Sequence, residues 1–411
     1  MSDEIRIASV NMMANGSTGH IMLQVARMAR KQGMVAQTFS TQAYTGAPPL
    51  PVQEIESHQL YGWYKENWWH TVLGKVTGYN GFFSYFGTLQ LIGYLEKFKP
   101  DIIHLHNLHQ FCIHLPILFR YICKNRIRVV WTLHDCWSFT GHCCHFKICG
   151  CEKWKDGCHH CPQFGEYPKT YVDRSRQLYN LKKKMFTSVE DMILVTPSEW
   201  LANLVTESFL HTYPVRVIHN GIDISIFKPT ESDFRTKYGC ENKKILLGVS
   251  FAWGYSKGLD VFVELAKRLD DTYCIVLVGT DEQIDRELPS NIISIHRTEN
   301  RQELAGIYTT ADLLINPTRE DTFPTVNMEA IACGTRVLTF ATGGSPETIP
   351  NGCGEIVPCG DIDALEQKIK EMCDQPWNVE PVKQAIYQMD MNCCFENYIQ
   401  LYRDLMHYTE T

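Results

Sequence analysis

The sequence predicts an α/β protein built from two domains, each with a parallel sheet. Its 411 residues suggest two to three domains at roughly 150 residues each. Short apolar segments typical of strands alternate with helix-like segments, which indicates parallel sheets. A polar, proline-containing stretch at 227–234 separates two such series and places a domain boundary near residues 225–240.

The composition limits the classes of protein to consider. The chain is 44% hydrophobic and 21% charged, which is ordinary for a globular protein. Its formal net charge of −7 disfavours a general nucleic-acid binder, which would usually be basic. No apolar run reaches the roughly 18 residues that span a bilayer, and the first ten residues lack the apolar core of a signal peptide. We therefore expect a cytoplasmic protein that binds no nucleic acid.

The first series of elements begins with a buried strand at 5–10, a glycine-containing turn at 15–19 and a helix that ends near Lys31. Further strands are predicted at 35–40, 101–105, 128–133, 192–195 and 215–218. A helix from Ser198 precedes the last of these strands. Together these elements predict an N-terminal domain over residues 1–225.

The second series starts with a strand at 244–249, followed by a helix from Lys257. Its other predicted strands lie at 274–278, 292–295, 312–316 and 336–340. They predict a C-terminal domain over residues 236–390. The amphipathic pattern from about Asn392 predicts a final helix within residues 391–411.

An aromatic stretch between Tyr61 and Phe86 fits this scheme poorly, and two interpretations stay open. Its rings can pack into a local core, since aromatic side chains dominate cores. They can instead form an exposed apolar surface for a lipid or sugar acceptor. In the second case Lys182, Lys183 and Lys184 would add attraction to anionic lipid. The aromatic side chains concerned are Trp63, Tyr64, Trp68, Trp69, Tyr79, Phe82, Phe83 and Tyr85.

Seven of the 17 cysteines lie in a short segment, which we treat as a Cys-rich insert at 136–165. Cys158 and Cys161 have the CxxC spacing of a zinc knuckle, and Cys143 and Cys151 can complete a tetrahedral thiolate site. We therefore expect a structural zinc ion at these four cysteines. Free thiols and redox or disulfide chemistry are the alternatives. Other side chains in the insert that could replace a ligand are Cys144, Cys149, His142, His145, His159 and His160.

Histidines and an aspartate lie where two predicted strands end. His104 and His106 share one face by the period of two, and His134 and Asp135 end the next strand. Because the carboxyl ends of strands in an open α/β sheet face the ligand crevice, these side chains are candidates for binding sugar hydroxyls or moving a proton. The alternative is a structural role as hydrogen-bonding groups and loop caps.

Three turns place a polar or glycine residue at the start of a helix. Gly16 and Ser17 lie in the turn after the first strand, Lys257 begins a helix of the second series, and GGSPE occupies 343–347. A helix N-terminus favours an anion or a polar oxygen. Each turn alone is weak evidence, because an ordinary structural turn has the same pattern.

Two acidic residues lie near the start of the helix that follows the predicted strand at 312–316. Asp321 lies on the loop and Glu329 further along the helix, with Pro324 suited to the first turn. Such carboxylates can accept hydrogen bonds from ribose and sugar hydroxyls. The alternative is a solvated acidic helix.

In combination these motifs resemble a known family. DxFPxxxxEAxACGT at 321–335, with GGxPE downstream, resembles the donor-binding signature of retaining family 4 glycosyltransferases with the GT-B fold. VIHNGID at 217–223 resembles their hinge, and SKGLD at 256–260 their phosphate-binding turn. The stretches that resemble the colanic-acid-type exopolysaccharide and O-antigen branch are PDIIHLHNLH, WTLHDCWSFTGHC, the KW-x2-GC-x2-CP run and PSEWLANLVTESFL.

The resemblance implies two Rossmann-like domains that face a cleft, with a C-terminal helix that crosses back to the N-terminal domain. It implies that Lys257 binds the diphosphate and Glu329 the ribose, and that His134 meets the transferred sugar. The catalytic residues expected are His134, Lys257 and Asp321. The other donor-binding residues expected are Gly16, Ser17, Arg297, Thr298, Thr322, Phe323, Pro324 and Thr325. The candidates on the acceptor side are His104, His106, Asn107 and Asp135.

The function implied is transfer of a sugar, with retention, from a UDP- or GDP-linked donor to a glycan or lipid-linked glycan. The resemblance assigns this reaction to bacterial exopolysaccharide, O-antigen and lipopolysaccharide biosynthesis. It implies no catalytic metal and peripheral contact with the cytoplasmic face of the inner membrane. Two departures from the family leave alternatives open: Asp321 stands where glutamate is usual, and 251–255 lacks the usual arginine. The alternatives are a sugar-nucleotide epimerase, a phosphorylase and a non-catalytic zinc-containing scaffold.

Overall fold

A computed structural model describes residues 4–41, 57–109 and 112–407. The chain forms two compact units, of which the first comprises Met1–Ile218 with Phe395–Thr411 and the second His219–Cys394. The division lies before the proline-containing stretch at 227–234. The reason is that Phe227 and Phe234 are buried in the core of the second unit, so this stretch is not a free linker.

The first unit contains a seven-stranded parallel sheet. Its strands are β1 (Arg6–Val10), β2 (Val35–Thr41), β3 (His58–Tyr61), β4 (Ile102–Leu105), β5 (Arg128–Thr132), β6 (Met192–Thr196) and β7 (Val215–Val217). Their spatial order is β3-β2-β1-β4-β5-β6-β7. The predicted strands are confirmed in this unit, whereas β3 was not predicted because its sequence HQLY has no apolar run.

Helices cover this sheet. The first is α1 (Gly16–Lys31), whose buried residues Ile21, Met22, Val25 and Ala29 follow the helical period. It is followed by α2 (Tyr64–Thr77), α3 (Tyr85–Phe98), α4 (Leu115–Asn125), α5 (Ser175–Phe186) and α6 (Glu199–Thr206). Between β5 and α5 the regular structure is a 3-10 turn at Trp137–Phe139, and Trp154 anchors this segment by stacking on Phe146.

The second unit contains a six-stranded parallel sheet in the order β10-β9-β8-β11-β12-β13. Its strands are β8 (Lys244–Val249), β9 (Tyr273–Val278), β10 (Ile292–Ile295), β11 (Leu313–Asn316), β12 (Arg336–Phe340) and β13 (Gly354–Val357). Its helices are α7 (Phe234–Lys237), α8 (Leu259–Arg268), α9 (Glu282–Asp285), α10 (Arg301–Thr310), α11 (Thr325–Ala332), α12 (Ile362–Asp374) and α13 (Glu380–Met389). The α/β fold with two Rossmann-like sheets is therefore confirmed.

The last helix, α14 (Met391–His407), begins in the second unit and ends in the first. Its Met391 N–H donates to the Ile222 carbonyl at 2.9 Å. This contact requires Gly221, because a Cβ there would lie 2.2 Å from the Met391 Cα. From Phe395 onward the helix belongs to the first unit, as the resemblance implied. Across the described ranges, every helix is too short or too polar to traverse a bilayer.

Candidate active site

Lys257 is held at the carboxyl edge of the second sheet by a tight turn. The loop after β8 forms a 3-10 turn at Tyr255–Lys257, and Gly258 follows with φ +73°. A Cβ on Gly258 would lie 2.5 Å from the Pro317 carbonyl oxygen, so only glycine allows this close approach. The turn therefore brings the lysine beside the loop that follows β11.

The Lys257 ammonium forms an ion pair with the loop that follows β11. Its Nζ donates to Asp321 Oδ2 at 2.6 Å, and both side chains remain partly exposed. The other Asp321 oxygen, Oδ1, accepts from the Phe323 N–H at 3.1 Å. The Asp321 carbonyl accepts from Gly344 N, which joins this loop to the one after β12. Two predicted catalytic residues are thus in direct contact.

Glu329 lies on α11, one turn beyond Thr325. Its Oε2 accepts a hydrogen bond from the Tyr308 hydroxyl at 3.0 Å. Burial raises the pKa of this carboxyl, while the bonds from Tyr308 and Thr325 act in the opposite direction. A carboxylate fixed in this way is a well-placed acceptor for ligand hydroxyls.

A buried polar network that the sequence did not predict lies beneath this edge. Asn327 accepts from Asn316 Nδ2 at 2.8 Å and donates to Ser345 Oγ at 3.2 Å and Thr348 Oγ1 at 2.8 Å. It connects the end of β11, helix α11 and the GGSPE turn. A buried network with every member bonded rigidifies its surroundings. The signal in the sequence was a single asparagine on the otherwise apolar face of a helix.

The remaining donor-side predictions in the second unit lie along the same edge of its sheet. Arg297 and Thr298 follow β10, and Thr322 follows Asp321 in the loop after β11. Phe323 is buried and stacks on His219, with ring centroids 5.0 Å apart. Pro324 stands at the N-cap of α11. Carboxyl ends of parallel strands form the ligand edge of such sheets.

Arg319 is a candidate to replace the arginine that is usual in the family but absent from 251–255. Its guanidinium donates to both carboxylate oxygens of Asp260 at 2.8 Å and to the Tyr255 carbonyl at 2.7 Å. The guanidinium also lies over the Tyr255 ring, 4.0 Å from its centroid. The arginine therefore braces the turn that carries Lys257, and Asp260 neutralises its charge.

In the first unit, two histidine contacts join the ends of β4 and β5. His106 Nδ1 and His134 Nε2 are 3.0 Å apart, and His109 Nε2 is 3.0 Å from Asp135 Oδ2. Burial lowers the pKa of His134 to about 4. Burial acts to raise the pKa of Asp135, but His109 and the Trp137 N–H hold it down at about 2. This edge thus offers a neutral imidazole beside an ionised carboxylate.

His104 has a structural role instead of the expected acceptor contact. It is fully buried, its Nδ1 is 2.6 Å from the Tyr402 hydroxyl, and its Nε2 is 2.8 Å from Thr132 Oγ1. Both ring nitrogens are therefore used within the protein, where they hold α14. Asn107 remains partly exposed, and its N–H donates to Asn11 Oδ1 at 3.1 Å.

Gly16 and Ser17 are exposed at the N-terminus of α1. Gly16 has φ +81°, a left-handed conformation that favours glycine. Gly19 faces the Ala14 carbonyl oxygen, which would lie 2.3 Å from a Cβ. The turn therefore leaves the first backbone N–H groups of a 16-residue helix open at the surface.

Only some of the cysteine sulfurs in the Cys-rich insert lie close to one another. Cys143 and Cys161 share a side-chain hydrogen bond, and Cys158 Sγ accepts from the Gly141 N–H at 3.1 Å. Within the described ranges, no three of the four predicted zinc ligands have their sulfurs within 4.8 Å of one another. The group that does meet this distance is His109, Asp135 and Cys144.

The aromatic stretch forms an exposed surface in addition to local packing. Trp63, Trp69 and Phe86 are 55%, 55% and 64% exposed. They line a groove of about 780 Å³ along α2 and the start of α3. At its floor the Glu66 carboxylate accepts from the Phe86 and Gly87 N–H groups at 2.8 Å and fixes the start of α3. The surface interpretation thus describes this part of the chain better than complete core packing.

Two family models match the chain over most of its length. The model described as Glycosyltransferase Family 4 matches residues 22–226, and the model described as Glycosyl transferases group 1 matches residues 243–375. The chain belongs to the family 4 glycosyltransferases. Within this glycosyltransferase, the histidine contacts lie in the first match and the Lys257–Asp321 pair in the second.

Curated relatives of the chain are also glycosyltransferases. A glycosyl transferase of Escherichia coli named for colanic acid biosynthesis, WcaC, is 26% identical over 66% of this chain and 67% of its own length. D-inositol 3-phosphate glycosyltransferase of Mycolicibacterium smegmatis is 26% identical over 39% of this chain and 40% of its own length. Both lie below the identity at which an activity transfers directly.

Solved structures share the fold over nearly the whole chain. Sucrose-phosphate synthase from Thermosynechococcus elongatus has a TM-score of 0.70 at 17% identity and covers 98% of this chain and 100% of its own. Anabaena HepE in complex with UDP and glucose has a TM-score of 0.68 at 14% identity, with coverage of 98% and 100%. At these identities the likeness establishes the GT-B fold alone.

Proposed function

We propose that the protein is a retaining glycosyltransferase that moves a sugar from a nucleotide-sugar to a glycan or lipid-linked glycan. The observation that carries this proposal is the Lys257–Asp321 pair at the carboxyl edge of the second sheet, with Glu329 on the helix that follows. Lys257, the cation proposed for the diphosphate, and Glu329, the hydrogen-bond acceptor proposed for the ribose, then lie at the same edge of the second sheet. A UDP-linked donor is our first choice, because HepE was solved with UDP and with UDP-glucose; a GDP-linked donor is the second.

The proposed chemistry follows from where charge develops. As the bond to the sugar breaks, negative charge concentrates on the leaving diphosphate while the sugar gains oxocarbenium character. Lys257 stabilises that charge more in the transition state than in the ground state. Asp321 holds the ammonium in place before the donor binds and yields it to the phosphate. Because Asp321 is bonded to that ammonium, it is a poor nucleophile, which favours transfer on the leaving-group face.

The residues of the first unit fit the sugar and acceptor side of this reaction. His134 is neutral near pH 7 because burial lowers its pKa to about 4, so it can hydrogen-bond a sugar hydroxyl without adding charge. Asp135 is ionised and can accept from an acceptor hydroxyl. We keep His106 as a positioning residue for His134, since the two rings are in contact.

We assign the reaction to bacterial surface polysaccharide biosynthesis, in exopolysaccharide or O-antigen and lipopolysaccharide assembly. The colanic-acid relative supports this choice. The exposed aromatic groove of about 780 Å³ suits a lipid-linked acceptor or the membrane surface that carries it. We therefore propose a cytoplasmic enzyme in peripheral contact with the inner membrane. Lys182 is excluded from this contact because it is buried, whereas Lys183 and Lys184 are exposed.

We also retain a structural zinc ion at Cys143, Cys151, Cys158 and Cys161. The donor set is chemically suited, since soft thiolates select zinc. Burial raises the pKa of Cys158 to about 11, and the hydrogen bond from Gly141 N–H to Cys158 Sγ acts in the opposite direction. Binding would require the four sulfurs to move closer together around the ion, and metal binding and folding are coupled in such segments. The zinc would be structural and takes no part in the transfer.

The test is incubation of the purified protein with a panel of UDP- and GDP-sugars, with and without lipid-linked glycan acceptors. We expect slow hydrolysis of one donor without acceptor, and a glycoside that keeps the donor's anomeric configuration when the acceptor is present. Conversion of the donor sugar without acceptor would identify an epimerase. Phosphate-dependent release of a sugar phosphate would identify a phosphorylase, and an inert protein would support a scaffold.

A further inference from the structure

A groove of about 890 Å³ lies in the second unit, where strands of its sheet begin. Among its lining residues, Asp312 immediately precedes β11 and Arg336 is the first residue of β12. Lys257 and the other donor-side residues of this unit follow the opposite, carboxyl ends of strands in the same sheet. The groove is therefore distinct from the candidate active site.

Arg336 is a buried arginine without hydrogen-bond acceptors. It is 9% exposed, and its Nε is buried and makes no hydrogen bond. Among the described residues, no carboxylate oxygen lies within 4.0 Å of its guanidinium, and no side chain or carbonyl accepts from its Nη atoms. Its Cζ lies 5.3 Å from the centre of the Trp377 ring, which lines the same groove. A guanidinium carries several N–H donors, and buried donors that stay unused are costly.

A second arginine that lines the groove uses two of its acceptors. Arg235 Nη2 donates to Asp312 Oδ2 at 2.7 Å and to the Thr310 carbonyl at 2.9 Å. Asp312 thus balances the charge of Arg235, and its Oδ2 also accepts from the Ile245 N–H at 2.8 Å. Because an arginine stays protonated in proteins, the charge of Arg336 is left in excess among these groups.

The charges that line the groove select the kind of anion. A planar guanidinium fits the paired oxygens of a carboxylate or a phosphate. Glu231 and Asp233 are exposed and line the same groove, so they repel further negative charge. A carboxylate, with a single charge, is therefore favoured over a phosphate monoester, which carries more than one charge near pH 7. The same two acidic side chains can accept hydrogen bonds from hydroxyl groups of a ligand.

We propose that this groove binds a sugar that carries a carboxylate, with the carboxylate on Arg336 and sugar hydroxyls directed to Glu231 and Asp233. The carboxylate site stands on the contacts of this unit alone, whereas the choice of a sugar rests on the proposed function. The groove has the size of a small-molecule pocket, for which about 300–1,000 Å³ is typical. Because it lies away from the donor edge, the acidic sugar is a second ligand and not the transferred group.

The test is a ligand-observed NMR titration of the full chain with glucuronate, glucose, glucose 6-phosphate and acetate. We expect glucuronate to bind in about the millimolar range, as for a small ligand held mainly by one charge-assisted pair. Glucose 6-phosphate should bind more weakly because of its higher charge, and acetate because it has no hydroxyls. Glucose lacks the carboxylate and should not bind.

Arg336→Gln should weaken glucuronate binding at least about tenfold, because a hydrogen bond between charged groups is lost. The matched control is Arg286→Gln, which removes the same charge from an exposed position of the same unit and should bind like the wild type. Lys257→Ala locates the ligand, since glucuronate in the groove does not need the cation of the candidate active site. If Arg336→Gln does not fold, Arg336→Lys keeps the charge but loses the planar fork and should bind severalfold more weakly.

Thermal unfolding separates ligand binding from packing. Glucuronate should raise the midpoint of unfolding of the wild type, and not that of Arg336→Gln, because only a bound ligand stabilises the fold. If Arg336 serves only to pack on Trp377, Arg336→Gln lowers the midpoint but binds glucuronate like the wild type, and the proposal is overturned.

The remaining outcomes distinguish this proposal from the proposed function. No binding of glucuronate, or equal binding of glucose, glucose 6-phosphate or acetate, would reject the acidic-sugar site. Loss of glucuronate binding in Lys257→Ala, with binding kept in Arg336→Gln, would place the ligand at the candidate active site and also reject it. Intact, Arg336-dependent glucuronate binding in a protein that transfers no sugar would reject the proposed function and leave the carboxylate site in place.

Discussion

Lys257 and Asp321 form an ion pair in which Nζ and Oδ2 are 2.6 Å apart. This arrangement keeps the ammonium at the sheet edge without burying it. In the proposed reaction a phosphate oxygen of the donor takes the place of the Asp321 carboxylate. The lysine backbone need not move, because the Gly258 turn fixes it. The geometry therefore favours a role in turnover over one in folding.

We expect Lys257→Ala to reduce turnover by about 100- to 1000-fold, because removal of one preorganised charged donor typically has this effect. The upper end is favoured, since Asp260 already neutralises Arg319. Steady-state kinetics with the true donor measure the change, with Lys228→Ala, an exposed lysine of the same unit, as the control. Normal turnover with only a raised Michaelis constant would show that the lysine binds donor without assisting the chemistry.

Individual site residues could be predicted where they follow the carboxyl end of a strand that the sequence makes recognisable. Lys257, Asp321 and Glu329 follow strands that apolar runs make obvious, so their common edge could be inferred. The burial of His104 and Lys182 could not, because it depends on which helix covers each strand. The expectation that Lys182 contacts lipid was wrong for this reason: its KKK run resembles an exposed patch, but one of its members points inward.

At the scale of elements, α14 is held by two hydroxyls that meet the sheet of the first unit. Tyr402 bonds His104 Nδ1, and the Tyr398 hydroxyl is 3.1 Å from Thr132 Oγ1. Burial lowers the pKa of His104 to about 3, so the ring stays neutral and can donate with one nitrogen and accept with the other. The helix is thereby fixed by hydrogen bonds as well as by apolar packing.

We expect Tyr402→Phe to lower the free energy of unfolding by about 1–3 kcal/mol, because it leaves a buried His104 nitrogen without its partner. Tyr387→Phe, a change at a tyrosine that is 69% exposed, is the matched control and should have almost no effect. Urea unfolding followed by circular dichroism measures both. Equal, small losses in the two variants would contradict the anchoring role of His104.

Elements with long apolar runs were predicted to within about two residues of their ends. Strands β3 and β13 were missed because HQLY and GEIV contain no long apolar run, and in β13 both Glu355 and Ile356 are exposed. Helices α2 and α3 were missed because large aromatic residues such as Trp68, Trp69 and Phe86 are exposed, whereas small or polar residues such as Asn67, Gly74 and Gly87 are buried, which hides the helical period.

The molecule as a whole combines an exposed aromatic groove with a net charge of −7. Long-range attraction to an anionic membrane is therefore weak, and apolar insertion must carry most of any binding. Contact would then be local, which suits an enzyme that extends a lipid-linked acceptor and afterwards leaves it.

We expect the wild type to sediment with phosphatidylglycerol-containing vesicles at low salt, and Trp69→Ser to reduce the bound fraction severalfold. The physical reason is the loss of apolar area that can enter the lipid interface. Phe251→Ser removes another fully exposed aromatic ring, in the second unit, and should leave sedimentation unchanged. If both variants bind like the wild type, the groove has no part in membrane contact.

The central claim is that the carboxyl edge of the second sheet binds the nucleotide of the donor, and calorimetric titration with UDP and GDP tests it without knowledge of the sugar or acceptor. The account predicts that one of them binds at about one per chain, as a single donor site requires. Glu329→Gln should weaken that binding at least about tenfold, since a hydrogen bond to a charged group is worth roughly 1.5–3 kcal/mol. Glu287→Gln, at an exposed position of the same unit, should leave it unchanged. Binding of neither nucleotide, or equal affinity in the Glu329 variant and the wild type, would contradict the account.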